Sequence, residues 1–128
     1  MTRSWNPAIP AGGGLDIPYS PAAVSDGFVH VAGVISTDES GAIVTDDFAS
    51  QARRTFANLV KTLEAAGCSA ADVVHVTTYL TDRGDFEAFN AAFVETFSEP
   101  FPARVTVLAQ LIVPGLSIEV TAVAARPR

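Results

Sequence analysis

Two segments of this 128-residue chain place apolar residues at helical spacing, and a run of β-branched residues separates them. In "DDFASQARRTFANLVKTLEAAG", Phe48, Ala52, Phe56, Leu59 and Leu63 recur every three or four positions and form one stripe. The second segment, Asp85 to about Phe97, sets Phe86, Phe89, Phe93 and Phe97 down one side. Between them "ADVVHVTTYL" (71–80) reads as a strand. Each helix has a single stripe to bury, and the economical solution lays both on one face of a shared sheet.

The remaining strands follow from shorter signals. "FVHVAGVI" (28–35) reads as a strand, and Asp26-Gly27 before it is a turn that can close a hairpin. "TDESG" is a further turn and "AIVT" a short second strand. "FPARVTVLAQL" and "SIEVTAVAA" read as two strands joined by "IVPGL". Asp46 or Asp47 suits the N-cap of the first helix, and Gly67 fits just past its end. The predicted order is β-β-α-β-α-β-β, an α+β fold with a mixed sheet and both helices on one face. Residues 1–22 are rich in Gly and Pro and predict an irregular lead-in, with 1–17 as an N-terminal arm of one domain spanning 1–128.

Composition excludes several classes. The formal charge is −6 and no Lys/Arg cluster is present, which opposes nucleic-acid binding. A single cysteine, Cys68, rules out an internal disulfide, and the histidines and cysteine show no metal-ligand spacing. His30 and His75 sit mid-strand between valines and read as ordinary strand residues; Cys68 reads as a small turn residue. "GGG" at 12–14 lacks the Lys-Ser/Thr of a phosphate loop. "MTRSWNPAIPAGGG" has no signal-like apolar core, and no run approaches a membrane span, so a cytoplasmic protein is expected. With 48% apolar and only 17% charged residues, part of the sheet is expected to be covered by a partner subunit.

Arg104 stands out because Phe101, Pro102, Ala103, Val105, Val107 and Leu108 around it are apolar. A guanidinium there needs a partner or an anionic ligand. If the last two strands form a hairpin centred near 111–112, Glu119 lies opposite it. The pair then reads equally as a cross-strand ion pair or as an anion clamp beside a base for water.

These same segments resemble the RidA family, also called the YjgF family. The likeness rests on "PYSPAAVSDGFVHVAGVI", "VTTYLTDRGDFEAFNAAFVETF", "FPARVTV" and "IEVTAVA", in family order from about Pro18 to the C-terminus. The resemblance implies a chorismate-mutase-like fold, a homotrimer with clefts between subunits, and cofactor-independent hydrolytic deamination of reactive 2-imino and enamino acids to 2-oxo acids and ammonia. It implies that Arg104 holds the substrate carboxylate and that Glu119 positions the attacking water. Tyr19, Ala32, Gly33, Asn90 and Thr106 fall at substrate-binding positions. Ala32 and Val34 stand where the family often carries Ser and Gln, leaving a more apolar floor, and Leu108 replaces a usual acidic residue. Two other readings stand beside this one: a dedicated hydrolase of another C–N bond, of carbamate or aminoacrylate type, and a non-catalytic carboxylate-binding trimer.

Overall fold

The computed structural model describes residues 17–127; the expectations for residues 1–16, including the arm and the "GGG" segment, lie outside the described residues. Five strands and two helices follow in the order β1 (Ala22–Ser25), β2 (Phe28–Val31), α1 (Phe48–Ala65), β3 (Val73–Leu80), α2 (Phe86–Thr96), β4 (Ala103–Leu108) and β5 (Ile118–Ala125). The strands form one sheet in the order β1-β2-β5-β3-β4. Only β3 and β4 run parallel, and α2 is the crossover between them.

Local chemistry explains the helix ends. Asp47, not Asp46, caps α1: its carboxylate accepts from the Ser50 backbone N–H at 3.0 Å and the Ser50 hydroxyl at 2.9 Å. Asp46 instead pairs with Arg54 at 3.0 Å. Gly67 follows α1 with φ +83°, the left-handed conformation that closes a helix at low cost for glycine. The two helices meet through Phe56, whose ring lies 6.1 Å from Phe89, 6.3 Å from Phe93 and 5.9 Å from Phe97. Such ring pairs add roughly 0.5–1.5 kcal/mol each beyond area burial. Val29, Val76, Ile118, Val120 and Ala124 supply the sheet side of that core.

Three expectations need correction. The strand expected over 28–35 ends at Val31; Ala22–Ser25 forms β1 and pairs with β2 in the hairpin that the Asp26-Gly27 turn predicts, where both turn residues have positive φ. "AIVT" is not a strand, and Ile43 makes only an isolated bridge to Thr37. Side chains of α1 bind the residues that flank the loop containing it, and the Ser36 hydroxyl donates to the Val44 carbonyl within it. Arg54 donates to Ser36 and Asp46, and Asn58 donates to the Ile35 and Thr37 carbonyls.

The last two strands are not a hairpin. β3 lies between them, pairing parallel with β4 and antiparallel with β5. The α2 crossover delivers β4 to the outer edge of β3. Residues 109–117 then pass around the end of β3, where Ala109 N–H donates to the Leu80 carbonyl and Thr81 N–H to that of Ser117. β5, buried at every second residue, takes the centre of the sheet.

Candidate active site

Register decides which face of the sheet each candidate side chain uses, because neighbours paired across strands point the same way. Val76, Thr78 and Leu80 are buried under the helices, and they pair with Arg104, Thr106 and Leu108 of β4. Tyr79 and Thr77 occupy the open face and pair with Glu119 and Thr121 of β5. Arg104 and Glu119 therefore project from opposite faces of the sheet. Of the two readings left open for them, the cross-strand ion pair does not form, since β3 separates their strands and their side chains diverge.

On the helix face, the Arg104 guanidinium lies against α2. Its Nη2 donates to Asn90 Oδ1 at 2.7 Å. Its central carbon stands 4.8 Å from the Phe93 ring centroid, 5.3 Å from Phe89 and 5.9 Å from Phe86. Among the described residues the ion pair is Arg54–Asp46, so Arg104 carries its charge beside a neutral amide and aromatic faces. A guanidinium held this way keeps N–H donors for a carboxylate, which can accept them in pairs. Thr106 lies two residues along the same face and is partly buried.

On the open face, Glu119 is about half-buried, and burial pushes its carboxyl above the usual carboxylate range. Its Oε2 sits where a side chain on Gly33 would begin, so that glycine is what lets the carboxylate approach the backbone. Val34 continues this strip: its N–H and carbonyl exchange hydrogen bonds with those of Val120, at 2.6 and 3.0 Å. The Val34 side chain packs against the core, on the opposite side from Glu119. Burial also raises the Tyr19 phenol, which is 38% exposed. Tyr19, Ala32 and Gly33 line a groove of about 360 Å³ that continues along Asn58 and Lys61 of α1. Neither Arg104 nor Glu119 lines it.

The candidate residues thus fall in separate places: Arg104, Asn90 and Thr106 on the helix face, Glu119 against Gly33 on the open face, and Tyr19 and Ala32 with Gly33 along the groove beside α1. In the sequence the ring platform beneath Arg104 reads only as a core stripe. Its signal was present in the spacing, since Phe86, Phe89, Asn90 and Phe93 share one face of α2.

A five-stranded mixed sheet with two helices on one face, matched closely by solved relatives, defines the chorismate-mutase-like class of α+β domains. The family described as endoribonuclease L-PSP matches residues 15–126, and the chain belongs to it. It is 35% identical to the human 2-iminobutanoate/2-iminopropanoate deaminase over 84% of this chain and 79% of that protein. It is 36% identical to the 3-aminoacrylate deaminase RutC of Acinetobacter baylyi, over 84% of this chain and 86% of that one. The crystal structure of RidA from an Antarctic Psychrobacter superposes with a TM-score of 0.82 at 32% identity, covering 89% of this chain and 93% of that one.

Proposed function

We propose that the chain is a hydrolytic deaminase of 2-imino and enamino acids whose active site is completed between two copies. Arg104 of one copy binds the substrate carboxylate, and Glu119 of its neighbour directs water to the imine carbon. The observation that carries this reading is the state of Arg104: charged, oriented by Asn90, and without a carboxylate partner among the described residues. Relatives at 35% and 36% identity that bear imine and aminoacrylate deaminase names support the reaction class.

The chemistry is within reach of these groups. A 2-imino acid is electrophilic at carbon, and an enamine becomes so on protonation at its β-carbon. Binding the carboxylate bidentately fixes that carbon relative to the base. Glu119, partly desolvated, accepts a proton as water adds across the C=N bond to give a carbinolamine. Glu119 returns its proton to nitrogen and then takes the carbinolamine hydroxyl proton as the C–N bond breaks, so ammonia leaves and the C=O of the 2-oxo acid forms.

Assembly through the open face and the β4 edge fits the surface. Val105, Val107 and Leu108 are 47%, 41% and 50% exposed, and among the described residues no strand lies beside the outer edge of β4. A homotrimer of one-domain chains with three clefts is the arrangement we infer. Release of 2-oxobutanoate from 2-iminobutanoate, generated in situ by oxidising 2-aminobutanoate, tests the activity. Wild-type release above the uncatalysed rate, lost in Arg104→Ala, is expected; equal release by the variant would overturn the assignment.

A further inference from the structure

Burial accounts for two of the three phenylalanines that face Arg104, and not for the third. Phe89 is 0% exposed and Phe93 3%, both packed on Phe56 in the core. Phe86 is 43% exposed, yet its ring lies 6.4 Å from that of Phe89 and 5.9 Å from the guanidinium carbon. An exposed large apolar side chain against a charge calls for an explanation other than core packing.

We propose that Phe86 is a positioning residue for Arg104, completing an aromatic platform with Phe89 and Phe93 that fixes the guanidinium for carboxylate binding. The inference rests on the role proposed above for Arg104 and adds how that side chain is held. Residues 86, 89, 90 and 93 fall at i, i+3, i+4 and i+7, so three rings and the Asn90 amide share one face of α2. Phe89 and Phe93 are anchored by the core and cannot turn away. Phe86 closes the remaining side and limits the swing of a long, otherwise exposed side chain. Ring faces attract the cation without neutralising it, and Asn90 occupies only one of five N–H donors. An acidic residue at either position would orient the guanidinium too, but it would compete with the ligand carboxylate. An aromatic and amide cradle preorganises the clamp and leaves its charge available.

Kinetics on 2-iminobutanoate with Phe86→Leu, Phe86→Tyr and Arg104→Ala test this. Exposure of Phe86 means its variants should fold, and thermal melting verifies that they do. Phe86→Leu should raise KM about three- to tenfold, with kcat and the acid limb of the pH profile unchanged. Phe86→Tyr, which keeps the ring, should stay within about twofold of wild type on the same grounds. A wild-type KM in Phe86→Leu, an equal loss in Phe86→Tyr, or a loss confined to kcat would overturn the proposal. Wild-type turnover in Arg104→Ala, or an inert wild-type protein, would instead overturn the underlying reading of the site.

Discussion

Arg104 and Glu119 stand on β4 and β5, the two strands flanking β3, and their side chains leave the sheet on opposite faces. Arg104 rests on α2 beneath the helices, while Glu119 lies against Gly33 on the side the helices leave open. A single chain cannot bring them to one small substrate without dismantling the register that pairs them with Val76 and Tyr79. Under the proposed function each copy contributes half of two different sites.

The arginine should be needed for binding but not for folding. Arg104→Ala removes an exposed side chain that bonds Asn90 and rests on α2 rings, so stability should fall by only about 1 kcal/mol. Its kcat/KM should fall by roughly two orders of magnitude, through loss of a charge-assisted, two-pronged contact. Arg104→Lys keeps the charge but loses the planar fork, and should recover only part of that loss. Steady-state kinetics and thermal melting on the same preparations measure both effects.

Glu119 couples activity and stability in opposite directions. Burial raises its carboxyl, so the folded chain favours the protonated form. Its stabilising contribution is fully present below the ordinary glutamate pKa of about 4.3 and is lost as pH rises through the raised value. Glu119→Gln should therefore melt higher than wild type at neutral pH, with the gap closing in acid, while turnover disappears. The wild-type acid limb of kcat/KM should lie above the usual carboxylate range, because the base must be ionised. Melting curves across pH and a pH–rate profile supply the two measurements.

Gly33 should prove catalytic in effect though it has no side chain. A Cβ there meets Glu119 Oε2, the end of a flexible side chain, so the fold yields by moving the carboxylate. Gly33→Ala should lower kcat about tenfold, as displaced catalytic groups do, with little change in melting temperature. Gly67→Ala is the contrasting variant: its φ of +83° strains alanine, and no heavy atom outside its neighbours meets the added Cβ. It should cost about 1 kcal/mol of stability and leave kinetics unchanged.

Periodicity made α1, β3 and α2 legible, because each buries one face and repeats the pattern over several turns or pairs. It failed at "AIVT", where β-branched residues lie in a loop whose flanks Arg54 and Asn58 tie to α1, a helix that begins later in the chain. It also failed for β1, whose four residues follow Pro21 and are too few to display alternation. The pairing of β4 and β5 was misread because proximity in sequence suggested a hairpin, whereas the α2 crossover had already committed β4 to β3. That single choice of neighbour decides the face of Glu119 relative to Arg104. The candidate residues follow from family resemblance; the division of Arg104 and Glu119 between two faces required the strand order. Phe86 was visible as part of a stripe, but its exposure, which separates it from Phe89 and Phe93, was not.

Complementation between two inactive variants tests the shared site most directly. Arg104→Ala and Glu119→Gln, each inert alone, should regain activity when unfolded together at equal amounts and refolded as mixed oligomers. If each site takes its arginine from one copy and its glutamate from another, roughly a quarter of the sites in a random symmetric assembly are intact. Recovery of about that fraction of wild-type kcat is the predicted result. Mixed oligomers that form and yet remain inactive would contradict a site built between two copies.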